Sequence, residues 1–304
     1  MSPRPAVVAH LPELPGVYRF RDAHDEVLYL GRAVKLRRRV GSYWGDLGDR
    51  GRLAAMIPRI ARIEVLACDS EHEAAWAERN LLEHSLPPWN RTRGGEESPV
   101  YIRFDSSVGS PGLSPAFRRE PREGVRYFGP YLGGQKVRFA ISALLRVYPL
   151  DYAGTRLTAS ESELAQLRHG GSAARQDLVA AIVGVLERAP RAVAAFSREL
   201  TSRRDAAAEA HWYELAARLQ KEIGGIEWVV APQRVTGAGS GACDPCAWTD
   251  GVQVSFEVRG GRLVEWTQGP SSHAGSGVSA SRTWAAFVQR NAELAAALAP
   301  YQIG

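Results

Sequence analysis

The stretch GVYRFRDAHDEVLYLGRAVKLRRRV, residues 16–40, leaves the chain little choice of local structure. GVYRF and VLYLG are short apolar runs rich in β-branched and aromatic residues. RDAHDE between them supplies the Asp and His of a reversing turn, so the three together predict a hairpin. In AVKLRRRVGSYW, Val34, Leu36 and Val40 then recur among arginines, the pattern of a helix with one buried side. Tyr18 and Tyr29 sit beside strand glycines, and dense positive charge follows at once.

That charge is local. Between Arg32 and Arg62 there are nine Lys or Arg (32, 35, 37, 38, 39, 50, 52, 59, 62) against Asp46 and Asp49, an excess of seven, larger than the +5 of the whole chain. It predicts one electropositive surface, with Lys35, Arg37, Arg38, Arg50 and Arg52 as candidate contacts to a DNA backbone; Arg37 and Arg38 serve equally well as a solvated helix face. An apolar share of 45% places the 304-residue chain among globular proteins rather than disordered ones. Three cysteines make no disulfide framework, and no apolar run reaches 18 residues. The N-terminal segment lacks an apolar core of signal-peptide length, so a cytoplasmic location without membrane partners is expected.

The overall expectation is an α+β chain. Residues 1–95 read as a compact α/β domain: the hairpin, a helix, a third strand in IARIEVLAC, and a helix over 71–84 that Asp69 or Ser70 caps and Pro87-Pro88 stops. Residues 96–150 hold strand candidates VYIRF and RYFGPY and a helix spaced by Val137, Ile141, Leu144 and Leu145. Residues 151–205 read as a polar linker and an apolar helix from Leu178 that Pro190 stops. A helix is expected from Ala206 to Val230 within a segment 206–236. Residues 237–304 show a hairpin around RGGR and a short helix from Trp284 to Leu298.

A phenol is a poor base near neutrality, and fixed positive charge beside it favours the phenolate. Tyr29 is expected to end its strand, with Arg32 and Lys35 just beyond and Arg39 a helical turn further on. Arginines grip phosphate by bidentate contacts. Glu78 shares a helix face with Ala75 and Leu82, a costly place for a carboxylate unless something pairs with it. One divalent cation, Mg²⁺ or Mn²⁺, or an arginine would serve. Phenol, guanidinium, phosphate and metal describe a nuclease.

The segments PGVY, LYLGRAVKLRRRV, EHEAAWAERNLL and PPWN together resemble the GIY-YIG nuclease family, and within it the UvrC group of excision-repair nucleases. The likeness extends to RYFGPYLGGQKVR and, more weakly, to WYELAARLQKEIGGIEWVVAPQRV, which is similar to that group's UvrB-binding helical hairpin. The resemblance implies that Tyr18 orients water or phosphate and that Tyr29 is the general base. Arg39 would bind the scissile phosphate, Glu78 the metal, and Asn90 would support the site. Arg32 stands where the family usually has lysine.

Departures from the family pattern sharpen the expectation. Residues 149–190 hold no cysteine, where the resemblance would place a cysteine-rich segment. The hairpin at 250–266 resembles only the opening strands of an RNase H-like domain. One nuclease centre and one nick in lesion-bearing or branched double-stranded DNA are therefore expected, with UvrB or a similar repair protein as partner. The rival readings are a DNA-binding adaptor that keeps the fold without turnover, and a regulator acting through residues 206–230. Cys243 and Cys246 lack two further ligands at usable spacing, so no metal is expected there.

Overall fold

The computed structural model describes residues 3–45, 47–94, 97–107, 112–150, 175–232, 234, 242–272 and 282–302. Two compact units divide the chain: residues 1–96 together with 232–304, and residues 97–231.

In the first unit a short helix, α1 (Val7–His10), leads into an antiparallel sheet of β1 (Gly16–Arg21), β2 (Val27–Ala33) and β3 (Arg62–Ala67), ordered β2-β1-β3. Strand alternation divides its two faces. Tyr18, Phe20, Ile63 and Val65 join Leu36 and Val40 of α2 (Leu36–Gly41), Tyr43 and Met56 in one buried cluster. Arg19 and Glu64, of opposite parity, lie elsewhere and are themselves buried. Arg19 Nε donates to Glu64, whose carboxylate also takes Arg21 Nε at 2.9 Å and Arg62 Nε at 3.1 Å. Helix α3 (Glu71–His84) starts at Ser70, whose Oγ accepts the Glu73 N–H at 3.0 Å, and it ends ahead of the two prolines as expected.

The end of the chain completes this unit. Strands β7 (Cys246–Thr249), β8 (Val252–Arg259) and β9 (Arg262–Pro270) form a meander, and α8 (Arg282–Leu298) packs Trp284 and Phe287 against Phe256. The predicted hairpin is β8–β9, turned at Gly260-Gly261. The outer edge of β3 is closed from here. Asn291 accepts the Ala67 N–H at 2.8 Å and donates to its carbonyl at 3.2 Å, and the Gln302 amide does the same at Ile63, at 3.0 and 2.9 Å. Arg19 donates to the Trp266 carbonyl, with its guanidinium 4.1 Å from the Trp266 ring.

The second unit holds β4 (Val100–Asp105), β5 (Leu113–Ala116) and β6 (Val125–Tyr131), ordered β5-β4-β6, followed by α4 (Gly134–Val147). Three helices complete it: α5 (Arg175–Leu186), α6 (Pro190–Glu209) and α7 (Tyr213–Val230). Most of the expected linker, residues 151–174, lies outside the described residues. The structure differs from expectation over 190–230. Pro190 starts a helix instead of merely ending one, because its missing N–H costs nothing in a first turn. The single helix expected from Ala206 is two, broken where His211 takes φ +61 and leaves Trp212 outside with 64% of its surface exposed. Helices α4 and α7 cross closely at Gly225, where an added Cβ would stand 2.8 Å from the Lys136 carbonyl and 2.9 Å from the Ala140 nitrogen. Beside the crossing, buried Glu222 accepts from Ser142 at 2.6 Å and from both Arg146 Nε (2.7 Å) and Nη2 (2.9 Å). Among the described residues no helix is long and apolar enough to cross a membrane.

Candidate active site

The β1–β2 register sets Phe20 opposite Tyr29 and Tyr18 opposite Gly31. Residues opposite one another share a face, so both phenols and Phe20 project together. The rings of Tyr18 and Tyr29 are 6.1 Å apart. Gly31 makes this possible: a Cβ there would meet the Tyr18 hydroxyl at 2.6 Å and Tyr29 Cε1 at 2.8 Å. Gly31→Ala is therefore expected to displace both phenols, lowering nicking by about a hundredfold. Single-turnover cleavage read beside a thermal melt checks this, the melt serving to show that the fold persists.

Tyr29 is the third residue of β2 rather than its end, because pairing continues to Gly16 opposite Ala33 and carries Arg32 within the strand. Helix α2 supplies Arg39, whose Nε donates to the Tyr18 hydroxyl at 3.2 Å. Just beyond it, Tyr43 hydrogen-bonds Tyr18 through the two hydroxyls at 2.8 Å, and its ring lies 6.0 Å from that of Tyr29 and 5.7 Å from the Arg39 guanidinium. Sequence reasoning missed Tyr43. Its only signal was a tyrosine one turn past an arginine already suspected.

Burial governs the electrostatics of Tyr18 and Tyr43. Burial pushes the Tyr18 phenol above its ordinary range, and the Arg39 cation does not offset it. Burial likewise pushes Tyr43 up, with Tyr18 and Tyr29 adding to the effect. Both stay neutral near pH 7 and offer hydrogen bonds rather than basicity. Burial lowers and the neighbouring phenols raise the Arg39 pKa, with a net upward shift, so its charge is secure.

A second group lies along the outer edge of β2. Trp89 N–H donates to the Leu28 carbonyl at 3.1 Å. The Asn90 amide accepts the Leu30 N–H at 3.0 Å and donates to the Leu30 carbonyl at 2.8 Å. Glu78 on α3 accepts the Arg32 N–H at 3.1 Å, and its other oxygen is 3.3 Å from Arg32 Nε. Bare edge strands invite pairing with other chains, and these side chains close this one. Tyr18, Tyr29, Arg39 and Tyr43 thus gather on one face of the hairpin, while Arg32, Glu78 and Asn90 line the edge of the same strand.

As for a metal, no group of three His, Cys, Asp or Glu is placed to hold one among the described residues. The donor set still fits Mg²⁺, which takes one or two carboxylates and fills its shell with water and phosphate oxygens. Glu78 retains 21% side-chain exposure, and its partner Arg32 36%, so a pair this open is weak enough to yield to a divalent ion.

Of the candidate DNA contacts, Lys35 and Arg38 are exposed. Arg37 Nε donates to the Leu11 carbonyl at 2.7 Å and Arg52 to the Trp89 carbonyl. The Arg50 side chain lies outside the described residues. Part of the counted positive charge is paired with carboxylates. Arg59 lies 3.4 Å from Asp22, and Arg62 pairs with Asp25 and Glu64, acids that fall outside the stretch counted in the sequence.

Comparison with known proteins finds similarity over this part of the chain and beyond it. The family profile described as "UvrC-like GIY-YIG domain" matches residues 14–91. Residues 14–91 are a UvrC-like GIY-YIG domain. Relatives named UvrABC system protein C extend beyond the GIY-YIG domain. That of Geotalea daltonii is 31% identical over 272 residues, covering 84% of this chain and 43% of the relative. That of Thermobifida fusca is 30% identical over 293 residues, covering 86% and 42%. The chain thus spans under half the length of these curated relatives. A solved GIY-YIG N-terminal endonuclease domain of UvrC from Thermotoga maritima, described as bound to its catalytic divalent cation magnesium, is 27% identical. It covers 28% of this chain and 91% of that one, with a TM-score of 0.26.

Proposed function

We propose that this chain is a metal-dependent endonuclease of DNA repair that makes a single nick in lesion-bearing or branched duplex. The observation that carries the reading is the convergence of Tyr18, Tyr29, Tyr43 and Arg39 on one face of β2, with Glu78 and Arg32 on its edge. Arg39 and Arg32 hold the scissile phosphate, which brings the phosphorus into line with an attacking water. Tyr18 and Tyr43, buried and hydrogen-bonded to each other, are positioning residues that hold the Arg39 guanidinium toward that phosphate. Tyr29, half-buried, passes its own proton to solvent and takes one from the water. Asn90 acts through β2, clamping Leu30 beside Tyr29, and is a positioning residue. A divalent cation on Glu78, Mg²⁺ or Mn²⁺, would neutralise charge developing on the leaving oxygen.

Labelled lesion-bearing and branched duplexes with Mg²⁺ or Mn²⁺ test the reading. Glu78→Ala is expected to lower nicking by about a thousandfold with binding retained, since the loss falls on transition-state charge alone. Wild-type protein that nicks none of these substrates would overturn it.

The Glu78–Arg32 contact favours a second reading, a non-catalytic adaptor in which Glu78 serves only to close the edge of β2. A gel shift without cleavage, unchanged by Glu78→Ala, is its signature. In either case the α6–α7 hairpin, with Trp212 and Tyr213 exposed at its turn, is the proposed contact for UvrB or a similar repair protein in the cytoplasm. Loss of UvrB capture by Trp212→Ala checks that contact.

A further inference from the structure

In the second unit, one face of the β5-β4-β6 sheet lies outside the core. Val100, Ile102, Phe104 and Phe128 are buried, so their strand neighbours Tyr101, Arg103 and Tyr127 stand on the opposite face, where all three are only partly covered. The Tyr101 and Tyr127 rings meet edge to face at 6.4 Å. The Arg119 guanidinium lies 5.8 Å over Tyr101. The Tyr127 hydroxyl donates to the Glu120 carbonyl at 3.0 Å, which fixes the ring against the loop that carries these arginines. Arg119, Arg122 and Arg126 line an open cavity of about 640 Å³ whose wall is Tyr127. Between Phe117 and Tyr127 the sequence holds four arginines (118, 119, 122, 126) against two acids (Glu120, Glu123), of which Arg126 pairs with Glu187. Phe117 at the start of that loop leaves 65% of its surface in water.

Ordered aromatic rings on a strand face, framed by arginines and bordered by an exposed phenyl, have the chemistry of a stacking platform for unpaired bases. Duplex DNA keeps its base faces covered and would use the arginines alone. We propose that this face of the second unit binds single-stranded DNA, with an unpaired base stacked on Tyr127 and flanking phosphates held by Arg119 and Arg122. The choice of DNA over RNA rests on the nuclease reading above. A bubble or flap beside a lesion is the kind of strand such a surface would hold.

Fluorescence anisotropy of a labelled oligothymidylate tests this, using the full chain with Glu78→Ala and no divalent cation. Tyr127→Ala is expected to weaken binding about tenfold, the loss of one stacked base. Tyr127→Trp restores it, which a merely structural role of the phenol would not allow. Arg119→Gln/Arg122→Gln, on an exposed loop, is expected to weaken binding and make its salt dependence shallower by about 1.4 units of log–log slope. Affinity unchanged in both the tyrosine and the arginine variants overturns the proposal, as does tighter binding of the matching oligouridylate. Wild-type protein that nicks no duplex while these losses persist removes the nuclease reading alone. Full nicking with unaltered oligonucleotide binding removes this one alone.

Discussion

Tyr29→Phe is expected to slow nicking by about a hundredfold to ten-thousandfold, the range for loss of a general base, while DNA affinity stays nearly constant. Phenylalanine keeps the ring among Tyr18, Phe20 and Tyr43, at centroid distances of 6.1, 6.2 and 6.0 Å, so the packing of the hairpin face persists. Only the oxygen leaves. Single-turnover rates on one labelled duplex, beside a filter-binding titration, separate the two effects. The same change at Tyr43 should cost less, because its hydroxyl hydrogen-bonds Tyr18 and stays protonated. If Tyr43→Phe stops the reaction and Tyr29→Phe does not, the base has been assigned to the wrong phenol.

Glu64→Ala is expected to destabilise the first unit by about 3–5 kcal/mol, the cost of leaving a buried charge without its partner. Glu64 is fully buried and holds three guanidinium groups. Burial already pushes Arg19 down to about 10 even with Glu64 helping to keep its charge. Arg62→Ala, at a side chain 33% exposed, should cost about 1 kcal/mol or less. The double change Arg19→Met/Glu64→Leu should recover most of the loss, since it removes both charges together. Chemical unfolding midpoints give the comparison. A Glu64→Ala protein as stable as the parent would show that water reaches Arg19.

Much of the GIY-YIG domain was legible because its signals are local. The hairpin, its turn, the Ser70 cap and the end of α3 each follow from residues a few positions apart. The pairings within the site were harder to read. Arg32 pairs with Glu78 from 46 positions away, and Tyr43 joins Tyr18 across 25, separations no periodicity reports. Burial, invisible in a string of letters, keeps Tyr18 neutral despite the Arg39 cation beside it. The break at Ala210–Trp212 was hidden because each residue there is tolerated in a helix, and only the backbone of His211 departs. Least legible was the return of residues 232–304 to the first unit, where Asn291 meets Ala67 from 224 positions away.

That return imposes an order on synthesis. A ribosome releases residues 1–96 ahead of residues 232–304, which bring the cover for Arg19 at Trp266 and for the β3 edge at Asn291 and Gln302. At about 5–20 residues per second, the intervening stretch from 97 to 231 holds the nascent sheet unfinished for roughly seven to twenty-seven seconds. During that interval a β-edge and a guanidinium stand open to whatever chaperone waits at the exit tunnel.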